Sequence, residues 1–259
     1  MIDSHCHLSD VAFVPDLAAV VGRARAAGLV SALMVLPPGD EAEAARADKV
    51  LALWPEVRLA VGIHPHQAGA YSGPEADVTA RVRAALEAAP LARAVGEIGL
   101  DYHYSLAPYD VQRRVFRAQV RLARALGLPM VIHTREAEDD TRLILGEECG
   151  GRAAGVLHCF TGTESFAGWA LDLGLHISFA GIVTFPRADA LRALSARVPA
   201  ERLLVETDCP YLAPLAHRGR RNEPAWVVGV AETLAEVRHV ERDVLAEQVT
   251  ANFVGLFRP

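Results

Sequence analysis

The stretch DVQRRVFRAQVRLARALGLPMVIH, residues 110–133, holds one complete helix-to-strand passage. Val111, Val115, Ala118 and Leu122 recur at i, i+4, i+7 and i+11, which puts one apolar stripe on a helix over 110–126. Arg113, Arg117, Arg121 and Arg124 fall on the other side and read as a solvated outer face rather than a nucleic-acid patch. Gly127 and Pro129 stop the helix, and Met130 to His133 open a buried strand. The same alternation runs outward in both directions. Short apolar runs begin at residues 2–7, 32–36, 59–63, 94–98, 130–133, 155–158, 176–179 and 203–206, with helical patterns between them and two further helices over 224–237 and 242–256.

Eight such units in a chain of 259 residues predict a single (β/α)8 TIM barrel spanning residues 1–259 rather than an open doubly wound sheet. No Ser/Gly-rich linker or charge block divides the chain. The first strand-to-helix turn carries neither G-x-G-x-x-G nor a P-loop, so no nucleotide cofactor is expected.

Composition narrows the function. With 51% hydrophobic residues the chain can bury an ordinary core, and its formal charge of -6 gives no global basic field to attract a polyanion. Any nucleic-acid contact must therefore be local. Lys49 is the only lysine, against 25 arginines, which disfavours Schiff-base chemistry and favours bidentate phosphate contacts. The four cysteines form no C-x-x-C pair, Asp3 and His5 follow Met1 at once, and the longest uncharged apolar stretch, 173–186, is too short to span a bilayer. The expectation is a cytoplasmic protein with no membrane partner.

Ligand-type side chains gather at the C-terminal ends of the expected strands, where barrel enzymes build their active sites. His5 and His7 lie two apart, so a strand presents both imidazoles on one face and Cys6 on the other. His64 ends the third strand, Glu97 the fourth, His133 the fifth, His158 the sixth, and Glu206 with Asp208 the eighth. So many imidazoles and carboxylates in one place would repel and be poorly solvated without a cation. The pattern predicts His5, His7 and Asp208 on one ion and His133 with His158 on a second, Glu97 bridging. The chemistry is metal-assisted hydrolysis, with Asp208 and Glu97 as the catalytic carboxylates and Asp208 able to take a proton from the attacking water. Mixed nitrogen and oxygen donors suit zinc, manganese, iron or nickel by softness.

The stretches DSHCHL (3–8), GIHPH (62–66), GEIGLDYH (96–103), HTR (133–135), HCFTG (158–162), ETDCPYLAP (206–214) and RGRRNEP (218–224) resemble the TatD family of metal-dependent deoxyribonucleases, within the wider metal-dependent hydrolase superfamily. The resemblance implies a TIM barrel holding two, in some members three, divalent ions, and 3′ to 5′ exonuclease activity on single-stranded DNA ends, in some members on RNA. By motif it places metal binding on His5, His7, Glu97, His133, His158 and Asp208, and sets His64 and Glu206 near them, to hold a third ion or a substrate phosphate. Glu97 occupies the place of the carboxylated lysine of related amidohydrolases, and Lys49 falls in a helix, so the carbamate-bridged subclass is disfavoured. Arg135, Arg218, Arg220 and Arg221 could grip phosphates, Asn222 and His103 could touch substrate, and Tyr102, Tyr104, Phe160, Phe185 and Tyr211 could stack a terminal base. Glu223 and Pro224 read as a helix start. The alternative is a deacylase or amidohydrolase acting on a carbonyl substrate such as D-aminoacyl-tRNA.

Overall fold

A computed structural model describes residues Met1–Arg258, and its eight parallel strands lie in chain order in one sheet with helices between them, the (β/α)8 barrel fold. The strands are β1 Ile2–Cys6, β2 Ser31–Leu36, β3 Arg58–Val61, β4 Ala92–Asp101, β5 Met130–Arg135, β6 Gly155–Leu157, β7 His176–Phe179 and β8 Leu203–Val205. The helices are α1 Leu17–Ala26, α2 Glu41–Leu53, α3 Glu75–Ala88, α4 Tyr109–Leu126, α5 Glu138–Cys149, α6 Glu164–Leu173, α7 Asp189–Arg197, α8 Val227–Val237 and α9 Arg242–Phe257. All eight expected strands are present. Pro224–Trp226 forms a separate short 3-10 turn ahead of α8, where the sequence suggested one continuous helix.

One compact unit holds Met1–Met34, Glu41–Arg58 and the chain from Ile177 onward. In it β1 is buried at every position, and the chain just past β8 runs alongside it, the Asp208 amide donating to the His5 carbonyl at 3.0 Å and the His7 amide to the Cys209 carbonyl at 2.8 Å. Asp3 fixes this register from the core. Its Oδ1 accepts from the Thr207 amide at 2.9 Å and the His5 amide at 3.3 Å, and its Oδ2 accepts from the Thr207 hydroxyl.

The second unit holds Val35–Asp40 and Leu59–His176. Its longest pairing is β4 with β5, from Val95 opposite Met130 to Asp101 opposite Arg135, with a register shift between Gly96 and Ile98. Glu97 therefore does not end its strand as expected. It sits at the irregularity, which re-aims a side chain, and β4 runs on to Asp101. The glycines on either side make this possible. A Cβ at Gly96 would lie 2.6 Å from Val131 Cβ, and one at Gly99, whose φ is +146°, would lie 1.9 Å from the His133 carbonyl oxygen.

The buried face of α4 is wider than its apolar stripe. Gln112 and Gln119, seven residues apart, are buried beside Val115 and Leu122. Gln119 accepts from the Ile63 amide at 2.7 Å and donates to the Ile63 carbonyl at 3.0 Å. Gln112 does the same for Asp101 at 2.8 and 3.0 Å, and also donates to the Ala107 carbonyl at 2.9 Å. Each glutamine thus acts like one residue of a neighbouring strand, satisfying both backbone groups of a residue at the end of β4 or just past β3. The outer face of α4 carries the ion pairs of a solvated surface: Arg113 meets Asp140 at 2.9 Å, and Arg121 meets Glu148 at 2.8 Å and Glu75 at 2.9 Å.

Gln119→Leu keeps the volume but leaves both Ile63 backbone groups buried and unpaired, so chemical denaturation should show a loss of about 1 to 3 kcal/mol. Arg121→Ala on the exposed face should change stability by roughly 0 to 1 kcal/mol.

Candidate functional site

In the first unit, β1 and the chain after β8 bring three expected ligands together. His5 and His7 face each other with their Nε2 atoms 3.2 Å apart, and Asp208 Oδ1 lies 3.6 Å from the first and 3.3 Å from the second. Cys6 points the other way and donates to the Leu33 carbonyl at 3.5 Å, as strand alternation predicts. Asp208 takes a left-handed backbone, φ +57°, a conformation Asp tolerates better than most residues. Asn222 fixes the turn around it. Fully buried, its amide donates to the Thr207 carbonyl at 2.9 Å and the Tyr211 carbonyl at 2.6 Å, while its oxygen accepts from the Glu223 amide. Expected among the substrate contacts, Asn222 is committed inside. Glu223 is held in turn by Arg23, at 2.6 Å, and Arg221 is turned onto Asp16 at 2.7 Å rather than outward. Glu206 is buried directly after β8. Burial pushes the Asp3 carboxyl up to about 8 against the hydrogen bonds it accepts.

In the second unit, three imidazoles converge on one carboxylate oxygen. Glu97 Oε1 lies 2.7 Å from His158 Nε2, 2.9 Å from His133 Nδ1 and 3.2 Å from His64 Nε2, and His133 Nδ1 is 3.1 Å from His158 Nε2. The far nitrogen of His133, Nε2, meets Asp101 Oδ2 at 3.1 Å. Asp101 is fully buried and also accepts from His66 Nε2 at 2.8 Å and from the Tyr104 amide at 2.9 Å. An ionised Asp101 accepts a hydrogen bond from His133 Nε2–H, which in the neutral ring leaves the Nδ1 lone pair aimed at Glu97 and His158. This is the carboxylate–histidine arrangement that orients metal ligands. Burial alone would raise the Asp101 carboxyl, but His133, the Tyr104 amide and His66 hold it well below the usual carboxylate range.

Both clusters suit a cation by the chemistry of their donors. Ligands about 2.0 to 2.2 Å from a common ion stand roughly 3 to 3.5 Å from one another. The His5 and His7 Nε2 pair at 3.2 Å, His7 with Asp208 at 3.3 Å, and His133 Nδ1 with His158 Nε2 at 3.1 Å match that spacing, and His5 with Asp208 at 3.6 Å lies just outside it. The second cluster is also short of positive charge: burial would lower the His133 pKa, yet Asp101 and Glu97 raise it above its ordinary value. His64 differs from the others. Its Nδ1 accepts from the His66 amide at 3.1 Å, so a neutral ring carries its proton on Nε2, facing Glu97. That favours the phosphate-donor half of its expected role over the third-ion half. Burial lowers its pKa to about 4 despite Glu97, so the ring is neutral at pH 7.

The remaining expected contacts are placed as follows. His103 Nδ1 is exposed and meets Glu136 at 2.7 Å, and Arg135 lies over the Tyr104 ring at 4.8 Å. Tyr102 is held by Asp140 and stacked on Tyr109 at 4.0 Å, and Phe160 is buried against Phe166. Tyr104 and Tyr211 stay more than half exposed. Sequence reasoning missed Asp3, His66, Asp101, Gln112 and Gln119 as holders of the ligands. Asp101 was visible in principle, because it stands four residues beyond Glu97 and an even offset on a strand returns to the same face.

Asp101→Asn removes the acceptor that orients His133, so zinc or manganese affinity measured by competition titration should fall about 10- to 100-fold. The His64 ring, with its pKa lowered in the folded state, takes up a proton more readily when unfolded. Its contribution to stability is therefore complete above about pH 6.5 and is lost as pH falls toward 4. The stability difference between the native protein and His64→Gln should rise with pH over that window and be flat above it in denaturation curves.

The family model described as TatD related DNase matches residues 2–258. YabD of Bacillus subtilis, named as a metal-dependent hydrolase, is 37% identical over 261 residues, covering 100% of this chain and 99% of that protein. A protein of Pantoea ananatis named 3′-5′ ssDNA/RNA exonuclease TatD is 35% identical over 263 residues, covering 99% of both. The crystal structure of YjjV, a TatD homolog from Escherichia coli K12, superposes with a TM-score of 0.89 at 29% identity, over 100% of this chain and 98% of that one. Matched from end to end by that model and by these relatives, the chain belongs to the TatD family of metal-dependent hydrolases.

Proposed function

We propose that this protein is a 3′ to 5′ exonuclease acting on single-stranded DNA ends, and on RNA, with His5, His7 and Asp208 as ligands to one divalent ion and Glu97, His133 and His158 to another. The observation that carries the reading is the convergence of His133 Nδ1 and His158 Nε2 on one oxygen of Glu97, at 2.9 and 2.7 Å, with Asp101 behind His133. The relative named as a 3′-5′ ssDNA/RNA exonuclease supports the choice of substrate. Bound divalent ions would supply a water of lowered pKa and offset charge on the phosphoryl oxygens.

The chain's own groups do the rest. Asp208, whose Oδ1 lies 3.6 Å from His5 and 3.3 Å from His7, would take the proton of the attacking water through its carboxylate. His64, neutral with its proton on Nε2, is a donor suited to a non-bridging phosphate oxygen. Water adds to phosphorus and the P–O3′ bond breaks, so the shortened strand leaves with a 3′ hydroxyl and the released unit is a nucleoside 5′-monophosphate. Asp101 and His66 keep His133 in register through the cycle.

A 5′-labelled single strand incubated with metal-stripped protein and added Mg²⁺, Mn²⁺ or Zn²⁺ should shorten as a ladder from its 3′ end only when metal is present. Glu97→Ala should lower the rate by at least about 100-fold. Absence of cleavage from protein shown to bind metal would overturn the DNA reading.

A further inference from the structure

The loops after β7 and β8 carry three exposed arginines, Arg187, Arg218 and Arg220, and among the described residues none of them forms an ion pair with a carboxylate. That sets them apart from Arg23, Arg192 and Arg221 in the same unit, each drawn onto Asp or Glu. Two of the three are also held in place. Arg218 lies over the Phe185 ring with its guanidinium carbon 5.0 Å from the centroid, and Arg220 lies over Trp226 at 5.2 Å. Trp226 is itself stacked on His217 at 3.9 Å, the ring planes 8° apart.

The two loops form one built surface. The Leu215 amide donates to the Thr184 hydroxyl at 2.8 Å, that hydroxyl donates to the Gly181 carbonyl at 2.6 Å, and a Cβ on Gly181 would lie 2.0 Å from the Leu212 carbonyl oxygen. Tyr211, 56% exposed, stands at the start of the same loop with its ring 6.1 Å from that of His7. The order along the chain is therefore a turn carrying an expected ligand, an exposed aromatic ring, then two guanidinium groups positioned over rings.

A guanidinium stacked on an aromatic face keeps its edge N–H groups directed outward and loses little rotamer freedom when it binds an anion. Such groups without a carboxylate partner, in a chain of charge -6, are complementary to a polyanion and to little else. We propose that Arg218 and Arg220 form a phosphate-gripping subsite for the single-stranded nucleic acid leading away from the scissile end, with Tyr211 stacking a base between them and the ligand turn. The proposal rests on the exonuclease reading. It adds that the enzyme measures its substrate beyond the bond it breaks, so long strands are favoured over small phosphodiesters.

The test compares native protein with the double variant Arg218→Ala, Arg220→Ala on a long oligothymidylate and on bis(p-nitrophenyl) phosphate, over a range of salt. The double variant should raise KM for the long strand about 10-fold and lower the slope of log(kcat/KM) against log[salt] by roughly 1 to 2. Its kcat and its turnover of the small diester should stay as in the native protein. Unchanged KM and salt slope on the long strand would overturn the subsite while leaving the exonuclease standing. If native protein cleaves neither substrate, the exonuclease reading fails by itself, and anisotropy of labelled oligothymidylate decides the subsite: native binding that the double variant loses supports it, and equal or absent binding overturns it. Arg218→Lys, Arg220→Lys, which keeps charge without the stacked fork, should recover only part of the loss, and serves as the comparison if the alanine pair melts early.

Discussion

Backbone amides and carbonyls at the ends of buried parallel strands must find partners once the ladder stops, because each one left unpaired costs about 1 to 3 kcal/mol. The placement of the proposed ligands depends on how that demand is met. Ile63 and Asp101 are each clamped by a glutamine from α4, Thr207 and His5 by the Asp3 carboxylate, and Thr207 with Tyr211 by Asn222. None of these side chains is itself an expected ligand. Together they take the backbone out of play, so the histidines and carboxylates beside them are held by their side-chain contacts alone.

Charge is distributed by the same economy. Asp101 sits behind His133 and settles which ring nitrogen is open, a choice that no ligand makes for itself. On the outer face of α4, Arg113, Arg117 and Arg121 are drawn onto acids, contributing little to stability but claiming positive charge that a polyanion would otherwise meet. Among the described residues, Arg187, Arg218 and Arg220 on the loops after β7 and β8 form no such pair.

The alternation of strands and helices was legible because apolar runs, glycine and proline stops and the 3.6-residue stripe of 110–126 are local signals. The clustering of His5 with His7 and Asp208, and of His133 with His158, was legible because ligand-type residues at strand ends are unusual enough to stand out as a set. What stayed hidden has non-local causes. The extension of β4 past Glu97 depends on a register shift against β5 that no propensity encodes. Gln112 and Gln119 look like ordinary polar helix residues until Ile63 and Asp101 are packed against them. Asn222 reads as a substrate contact, yet it is buried because the turn it closes folds over it.

The two glutamine clamps have a kinetic side. The amides of Ile63 and Asp101 are protected by side chains of a helix rather than by a neighbouring strand. Their hydrogen exchange therefore reports the docking of α4, not the integrity of the sheet. Any opening that lifts this one helix exposes the chain beside His64 and the end of the strand that carries Glu97 in the same event. α4 is then the element through which a distant disturbance would reach the ligands as a single cooperative step.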